Sequence, residues 1–457
     1  MLSERATQDL RKRLQGELLL PSDPGYDEAR HIFNAMIDRR PAVIARCSTT
    51  QDVAASVQFA REHNLAVSVK GAGHNVAGNA VCDDGVMIDC SRMKGIEVDT
   101  KKRTAKAQPG LTLGEFDRAT TAQALFTTMG VVSKTGIAGL TLGGGFGWLM
   151  GKFGLACDNL TAAEVVTAEG EVVRASGEEN ADLLWGLRGG GGNFGIVTRF
   201  EFRLHPVEPV IGGLLLYPFE RAKELMQCYR EAVANSPDEL ILLVAMEAGP
   251  DGTPLCGFGV GYCGDPAQND KALARVRAFA RPVVDTVAEV PYIQQQSMLD
   301  EGYPFGRYYY WKAGLMDQLS DEAMDVLVEY FPRRPSVLTQ MFLEHIHGAA
   351  SRVPVTATAF PHRYNQLNFS ALAIWLDEKE TEANMTWVRE LWGDLRPHLA
   401  GRAYVNYLSQ EGAERVREAY GPNYNRLVAL KNKYDPTNFF RFNQNIQPTV
   451  GKAAAVD

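Results

Sequence analysis

A glycine-rich loop directly after a short apolar run constrains the fold more than any other part of this sequence. The run Leu65–Val69 is typical of a β-strand, and the segment Lys70–Gly78 that follows it contains three glycines and His74. Glycine lets backbone N–H groups approach a phosphate without a Cβ in the way, and it tolerates positive φ. With the positive charge of Lys70 at its entrance, the loop predicts a pyrophosphate cradle; a plain glycine turn is the alternative.

Two further glycine-rich segments follow along the chain. The first is Thr135–Gly147, and the second, Gly189–Gly195, contains a formal G-x-G-x-x-G match. A dinucleotide-binding fingerprint must follow a strand and open a helix. Here a predicted helix precedes the match and a predicted strand, Ile196–Leu204, follows it. The segment therefore does not predict nicotinamide binding, but so many glycines indicate close backbone approach to a bulky group.

The composition is that of an acidic globular protein large enough for two domains. The 457 residues are 45% hydrophobic and 22% charged, with a formal net charge of −8. No basic tract interleaves with aromatic residues, which argues against a nucleic-acid partner. The first residues lack the apolar core of a signal peptide, and no apolar run is long enough to span a bilayer. We therefore expect a cytoplasmic protein without a membrane partner.

The cysteines and histidines do not form a recognisable metal site. The seven cysteines are scattered and form no C-x-x-C pair. This pattern argues for reduced thiols in the cytoplasm, and against a disulfide framework or a zinc site. His345 and His347 would share one face of a strand, but such a pair alone is a weak metal signal. We expect no metal.

The predicted elements change character after His205. Before it, short strands alternate with helices and glycine-rich loops. After it, long apolar strands such as Val210–Tyr217 and Leu367–Trp375 alternate with helices such as Glu220–Asn235. This second pattern is typical of an antiparallel sheet backed by helices, so the predicted fold class is α+β.

Five motifs, taken together, resemble the FAD-linked oxidases of the vanillyl-alcohol-oxidase superfamily, in the berberine-bridge-enzyme-like branch. They are Lys70–Gly78, Gly136–Gly147, Gly154–Asn159, Trp185–Thr198 and Lys431–Ile446. Each motif alone is only suggestive, whereas the five in this order are specific and cover nearly the whole chain. The resemblance implies a two-part FAD-binding domain of vanillyl-alcohol-oxidase type, residues 1–207 and 402–457, with an inserted substrate-binding domain at residues 208–401.

The resemblance also implies which residues hold FAD. His74 aligns with the family histidine that bonds covalently to the flavin 8α-methyl carbon. The other residues that the resemblance assigns to the cofactor are Lys70, Gly71, Ala72, Gly73, Asn75, Gly78, Val132, Thr135, Gly136, Gly139, Leu140, Gly143, Gly144, Asn159, Gly195, Ile196, Val197 and Asn443.

A second covalent attachment site of the family is altered here. Many members add a cysteinyl link within a G-x-C-x-x-V-G run, and the matching run Gly130–Gly136 has Val132 at the cysteine position. We therefore expect a single histidyl link at His74 and no cysteinyl link. Thr135 replaces the usual valine beside the flavin with nearly the same shape, which is compatible with access of O2.

The catalytic candidates lie in the segment Ala403–Tyr407, which resembles the Y-x-N-Y segment along the flavin face of this family. Tyr407 aligns with the base of several members, and Tyr404 is the other candidate. A buried tyrosine near a positive charge can have its pKa lowered enough for the role of base. Without the resemblance, both would be interpreted as ordinary core aromatics.

The predicted strand 339–347 and the aromatic cluster before it supply the substrate candidates. These are Tyr310, Glu344, His345 and His347. An aromatic cluster with few polar groups suits a planar or amphipathic small molecule. In a regular strand, Glu344 and the two histidines point to opposite faces, so only one set can meet the flavin. The sequence leaves open which set does.

These expectations combine into an FAD-dependent oxidase. It would transfer a hydride from an alcohol, hemiacetal or amine carbon of a small molecule to covalent FAD, with O2 reduced to H2O2. The alternatives are a flavin dehydrogenase with another electron acceptor and a flavin-carrying binding or resistance protein without catalysis. Oxidative cyclisation of a natural product would use the same hydride step. The sequence leaves the substrate and the oligomeric state, monomer or homodimer, open.

Overall fold

The computed structural model describes residues 2–206 and 209–449. Within this part of the chain there are fifteen α-helices, and several of the longer ones begin at a side-chain cap. The helices are α1 (Glu4–Arg13), α2 (Tyr26–Arg30), α3 (Thr50–Glu62), α4 (Leu113–Thr121), α5 (Ile137–Gly143), α6 (Met150–Phe153), α7 (Ala181–Leu187), α8 (Ala222–Val233), α9 (Asn269–Arg277), α10 (Tyr292–Ser297), α11 (Asp321–Tyr330), α12 (Ala349–Arg352), α13 (Thr381–Leu395), α14 (Ala413–Tyr420) and α15 (Tyr424–Tyr434).

Nineteen strands accompany these helices in the described residues. Those before residue 207 are β1 (Glu17–Leu19), β2 (Val43–Arg46), β3 (Val67–Lys70), β4 (Val86–Asp89), β5 (Ile96–Asp99), β6 (Thr104–Ala107), β7 (Leu125–Phe126), β8 (Leu160–Val166), β9 (Val172–Ser176), β10 (Ile196–Arg203) and β11 (His205–Pro206). Those after residue 208 are β12 (Val210–Pro218), β13 (Leu240–Ala248), β14 (Pro254–Tyr262), β15 (Val284–Asp285), β16 (Ala288–Val290), β17 (Tyr308–Met316), β18 (Gln340–Ile346) and β19 (Gln366–Trp375).

A small sheet delivers the first glycine loop. Its strand order is β1-β2-β4-β3, and β3 and β2 both pair parallel to the buried central strand β4. The helix between β2 and β3, α3, begins at a capping box in which Thr49 and Asp52 each accept a backbone N–H at the helix start. Strand β3 ends at Lys70, so the glycine loop leaves the carboxyl edge of a parallel sheet, where ligands commonly bind.

A second sheet follows along the chain. It is antiparallel, and its strand order is β5-β6-β10-β8-β9. Its strand β10 follows directly after the third glycine-rich segment, and helix α7 precedes that segment. The predicted order, helix then glycines then strand, is therefore confirmed. The segment is consequently not a dinucleotide-binding fingerprint, which needs the reverse order.

The largest sheet is antiparallel and runs in the order β15-β12-β14-β13-β18-β19-β17. Residues alternate between its two faces because the side-chain period of a strand is two. Leu343 and Phe369 pack into an apolar core with the helices α8, α11 and α13 on one face. Phe342 and Leu372 point to the other face, towards the glycine-rich segments. The predicted sheet backed by helices is confirmed.

The C-terminal segment returns to the glycine-rich segments. Lys431 Nζ donates to the carbonyl oxygens of Asn193 at 2.9 Å and Phe440 at 2.8 Å, and pairs with Asp435 at 2.7 Å. Both ionised side chains are fully buried. The predicted boundary at residues 207/208 and the end of the C-terminal segment, residues 450–457, lie outside the described residues. The division into domains stays a prediction.

None of the helices in residues 2–206 and 209–449 combines the length and the apolarity needed to cross a membrane. No group of three or more His, Cys, Asp or Glu side chains in the same residues is arranged to hold a metal ion.

One fully buried arginine, Arg363, links the loop before β19 to Asp158 in the segment Gly154–Asn159. Arg363 donates to both carboxylate oxygens of Asp158, at 2.8 and 2.6 Å, and also to Thr358 Oγ1 at 2.7 Å. Two backbone carbonyls, of Ala350 and Phe360, accept its remaining donors. A buried ion pair of this kind is costly to break, because the surviving charge is left without a partner.

We therefore expect Arg363→Met to lower the free energy of unfolding by about 3–5 kcal/mol, since Asp158 then loses its buried cation. The control is Arg352→Met, whose partner is Asp238 and whose side chain is 61% exposed; there we expect a loss of about 0–1 kcal/mol. Urea unfolding of both variants measures the difference. Equal losses in the two variants would contradict the structural role of Arg363.

Candidate active site

A cavity of about 320 Å³ lies between the glycine-rich segments and the helix-free face of the largest sheet. Most of the residues that sequence reasoning assigned to the cofactor line this one cavity. They are Gly71, Ala72, Gly73, His74, Asn75, Val132, Thr135, Gly136, Gly139, Leu140, Gly195, Ile196, Val197 and Asn443. The fold thus brings residues from four distant parts of the chain to a single site.

Five of the predicted cofactor residues do not line the cavity. Lys70 was expected at the entrance of the loop, but its Nζ turns inward and donates to the carbonyl oxygens of Ala29 and His31, at 2.7 and 3.2 Å. Asn159 is buried and donates to the carbonyl oxygens of Phe153 and Leu155, at 3.0 Å each. Both side chains hold neighbouring backbone in place rather than facing the cavity.

The other three, Gly78, Gly143 and Gly144, are sites of close packing. A Cβ on Gly143 would lie 2.0 Å from Asn406 Oδ1, and one on Gly144 would lie 2.9 Å from Phe360. Gly144 also has a φ of +128°, which favours glycine. These glycines let the neighbouring segments approach the backbone closely.

Glycines that face the cavity differ from those at packing sites. A Cβ added to Gly139 or Gly192 would meet nothing within 4 Å. Nearby, Oδ1 of Asn443 is buried and has no hydrogen-bond partner among the described residues. Open space beside the backbone of these glycines, together with the unpaired amide oxygen of Asn443, suits a large ligand. Such a ligand would contact the backbone and hydrogen-bond to the amide.

His74 lies in the wall of the cavity with one nitrogen unpaired. Its Nε2 is buried, and no described residue offers it a hydrogen-bond partner. The imidazole stacks on Phe33 with ring centroids 4.0 Å apart, and Phe33 stacks in turn on Tyr309 at the same spacing. Burial lowers the pKa of His74 to about 4, so the ring is neutral. A neutral, fixed imidazole with a free nitrogen is suited to form a bond to a ligand.

A buried carboxylate, Glu344, faces the cavity from β18. Asn368 Nδ2 donates to one of its oxygens at 2.8 Å, and the hydroxyl of Tyr407 donates to the other at 3.2 Å. Burial raises the pKa of Glu344 to about 7, against the two hydrogen bonds that lower it. The carboxyl can therefore exchange a proton near neutral pH.

Tyr407 is a hydrogen-bond donor in this structure. Burial raises its pKa, and the nearby charge of Glu344 raises it further. No Lys or Arg is among the described residues that line the cavity. The expectation that a positive charge lowers the pKa of Tyr407 is therefore wrong, because the nearest charge is negative.

Tyr404 connects the C-terminal segment to the second glycine-rich segment. Its hydroxyl accepts the Gly145 N–H at 2.9 Å and the Asn406 Nδ2–H at 2.8 Å. Its ring stacks on Phe146 with centroids 3.8 Å apart. Burial raises its pKa. Tyr404 lines the cavity as a fixed, neutral side chain.

The parity of β18 decides between the two sets of substrate candidates. Glu344 lines the cavity, whereas His345 and His347 do not line it, and their rings stack on each other with centroids 4.3 Å apart. Tyr310 also points away from the cavity, and Arg389 from α13 lies 5.8 Å from its ring. Of the four predicted substrate residues, the structure brings only Glu344 to the cavity.

Sequence reasoning did not find Asn368 and Ser370, which complete the polar face around Glu344. In the register of β18 and β19, Glu344 lies directly opposite Asn368. Asn368 Nδ2 also donates to Ser370 Oγ at 3.0 Å. The sequence signal was present, because Asn368 and Ser370 alternate with Phe369 and Ala371 in an otherwise apolar strand.

Another contact missed in the sequence holds the loop that carries Val132 and Thr135. The carboxylate of Asp300 accepts the Ser133 N–H at 2.7 Å and the Ser133 hydroxyl. Asp300 lies shortly after α10, so a residue from the part of the chain after residue 209 fixes a loop that lines the glycine-rich side of the cavity. No sequence spacing links two residues so far apart.

Comparisons with known proteins agree with this architecture. The family model described as FAD binding domain matches residues 41–176, and the model described as berberine and berberine like matches residues 403–447. An FAD-linked oxidoreductase of Dictyostelium discoideum is 31% identical over 421 residues, which cover 91% of both chains. (R)-6-hydroxynicotine oxidase of Paenarthrobacter nicotinovorans is 32% identical over 448 residues, 95% of this chain and 97% of the relative.

Solved structures give the same result. The crystal structure of 6-hydroxy-D-nicotine oxidase from Arthrobacter nicotinovorans matches with a TM-score of 0.89 at 29% identity, and the match covers 98% of this chain and 100% of that chain. The chain belongs to the FAD-linked oxidoreductases of the vanillyl-alcohol-oxidase superfamily, in the berberine-bridge-enzyme-like branch. The predicted family, fold class and enzyme class, and FAD as cofactor, are confirmed.

The raised pKa of Glu344 predicts a pH-dependent stability. A glutamate ordinarily titrates near 4.5, and native Glu344 titrates near 7. Between these values the native state holds one more proton than the unfolded state, so stability falls as pH rises through this window. The resulting decrease in the free energy of unfolding is complete above pH 7 and is on the order of 3 kcal/mol. Glu344→Gln removes this contribution, so its stability should fall less than that of the native protein in this window.

The measurement is chemical unfolding of both proteins from pH 4.5 to pH 8. The variant should gain stability relative to the native protein as pH rises. Glu171→Gln, at an exposed glutamate, is the control and should follow the native curve. Parallel curves for the native protein and Glu344→Gln would show that Glu344 titrates normally.

Proposed function

We propose that this enzyme is an oxidase that takes a hydride from an alcohol, hemiacetal or amine carbon of a small molecule, with O2 as electron acceptor and H2O2 as product. The observation that carries the proposal is the buried Glu344–Tyr407 pair, which faces the same cavity as His74. Formation of one H2O2 per substrate in air distinguishes an oxidase from a dehydrogenase that needs another acceptor.

His74 is the proposed attachment point for FAD. The neutral imidazole, its unpaired Nε2 and its stacking on Phe33 support a single covalent link at this residue. Val132 lines the cavity at the position that the family resemblance assigns to a cysteine in many members, and a valine side chain cannot form a thioether. Thr135 lines it as well, with a side chain small enough for O2 to pass.

The other residues proposed to hold FAD supply backbone and amide contacts. Three walls of the cavity offer mainly backbone groups. They consist of Gly71–Asn75, of Gly136–Leu140, and of Gly195–Val197 together with Asn443. Lys70, Asn159 and the packing glycines Gly78, Gly143 and Gly144 act behind these walls by fixing the backbone. When bound there, FAD supplies the two-electron acceptor for the hydride.

Glu344 is the proposed general base. Substrate oxidation breaks one C–H bond and one O–H or N–H bond, and the proton must go to a group at the site. Glu344 is the carboxylate that lines the cavity, and its pKa of about 7 suits proton acceptance near neutral pH. The Tyr407 hydroxyl and Asn368 orient the carboxylate and stabilise its ionised form. Tyr404 positions the segment that carries Tyr407.

We expect His74→Ala to lose the covalent flavin while the wild-type chain retains it after acid denaturation. The physical reason is that no cysteine stands at the second attachment position, so His74 is the one anchor. Mass spectrometry of the denatured chain, with or without one FAD of extra mass, makes the measurement. His63→Ala, at an exposed histidine, is the control. Flavin that stays bonded in His74→Ala would overturn the assignment.

We expect Glu344→Gln to slow anaerobic bleaching of the flavin by about 10²–10⁴-fold, the usual contribution of a general base. In the wild-type enzyme this rate should rise with pH, with a midpoint near 7, because the ionised carboxylate is the active form. Stopped-flow absorbance with any alcohol or amine that bleaches the flavin gives both results.

The matched control is Glu247→Gln, on the neighbouring strand β13 and outside the cavity. It should keep the wild-type rate and pH profile. An unchanged midpoint in Glu344→Gln would assign the titration, and the base, to another group.

A further inference from the structure

The cavity contains almost no charge. Among the described residues that line it, none is Lys, Arg or Asp, and Glu344 is the one acidic side chain. A phosphate, sulfate or carboxylate on the substrate would have no cation to pair with, and burying such a group unpaired costs free energy. The glycine-rich segments offer backbone N–H groups to a phosphate, whereas Glu344 and the aromatic rings beside it offer neither such groups nor a cation, so this end of the cavity selects against an anionic substrate.

Aromatic rings form the walls beside the carboxylate. Trp311 lies nearly perpendicular to Tyr407 and to Tyr303, with ring centroids 6.0 and 6.4 Å apart. Phe342 lies 6.5 Å from Tyr303. The Tyr303 hydroxyl donates to Gln340 Oε1 at 2.6 Å, so Tyr303 offers the cavity its ring. Flat apolar walls of this kind favour a flat apolar molecule.

One polar atom in these walls is unpaired. Nε1 of Trp311 is buried and no described residue accepts its hydrogen. The side chain cannot turn away easily, because the residue is only 7% exposed. Its backbone is held in the β17–β19 ladder and by the Ser409 hydroxyl, which donates to the Trp311 carbonyl oxygen at 3.0 Å. A buried N–H normally has an acceptor, so a ligand that supplies one gains a hydrogen bond.

Building on the proposed function, we infer that the substrate is a neutral, planar aromatic molecule with two polar groups. An O–H or N–H donates to Glu344, and a neutral acceptor receives the Nε1–H of Trp311. A carbohydrate is disfavoured, because it would bury several hydroxyls against walls that offer few partners. Trp311 is thus a specificity residue, in addition to the proposed base.

Equilibrium titration of the oxidised holoenzyme tests this substrate class without requiring turnover. The probes are 4-hydroxyacetophenone, which carries both groups, 4-ethylphenol, which lacks the carbonyl acceptor, acetophenone, which lacks the donor, and cellobiose. Changes in the visible absorption of bound FAD report binding. We expect 4-hydroxyacetophenone to bind about 3- to 10-fold more tightly than either single-group aromatic, the gain of one hydrogen bond. Cellobiose should leave the spectrum unchanged.

The variant Trp311→Phe removes the Nε1–H donor of Trp311 and tests its hydrogen bond to the ligand separately. It should lose about 3- to 10-fold in affinity for 4-hydroxyacetophenone and bind 4-ethylphenol as the wild type does. Trp375→Phe is the matched control, since Trp375 packs on the opposite, helix-covered face of the same sheet. It should not change the affinity of either probe.

Two results would overturn the inference. Tighter binding of cellobiose than of the aromatic probes would exclude the aromatic class. An equal loss for both aromatic probes in Trp311→Phe would show that Trp311 provides stacking alone. Failure of the proposed function is a separate result, because it requires a flavin that no candidate substrate bleaches, and these titrations do not depend on bleaching.

Discussion

The contact between Tyr404 and the second glycine-rich segment is the interaction on which the site depends. The Tyr404 hydroxyl accepts the Gly145 N–H at 2.9 Å while its ring stacks on Phe146. This approach is possible because Gly144 has no side chain; a Cβ there would lie 3.3 Å from the Tyr404 ring and 2.9 Å from Phe360. Tyr407 follows within one short helical turn, so the same contact sets the position of its hydroxyl beside Glu344.

Burial then determines the chemistry of the site. The apolar walls that exclude water raise the pKa of Glu344 towards neutrality and lower that of His74. The two groups therefore differ in role although they share one cavity: a carboxyl able to exchange a proton, and an imidazole that stays neutral. Both are held by short-range contacts, Asn368 and Tyr407 for Glu344 and the Phe33 stack for His74. A polar, solvated cavity would perturb neither pKa.

The glycine-rich loops could be predicted from the sequence because their signal is local. A strand followed by a glycine-rich segment such as Lys70–Gly78 predicts a ligand-binding loop from neighbouring residues alone. Fourteen of the residues assigned to the cofactor line the cavity. Errors arose where side-chain direction mattered. Lys70 turns towards the carbonyl oxygens of Ala29 and His31, and Tyr407 meets a carboxylate rather than a cation. Direction depends on which distant segment packs alongside, and a single motif does not contain that information.

By itself, the sequence determined the family through the resemblance of five motifs. It also determined the α+β fold class, the antiparallel sheet backed by helices and the glycine-rich segments, since periodicity and glycine spacing are properties of neighbouring residues. Only the tertiary structure decided which face of β18 meets the cavity, and with it that Glu344, not His345 or His347, lies at the site. The physical reason is register: a shift of one residue exchanges the two faces of a strand, and register is set by pairing with β13 and β19 rather than by the strand's own residues.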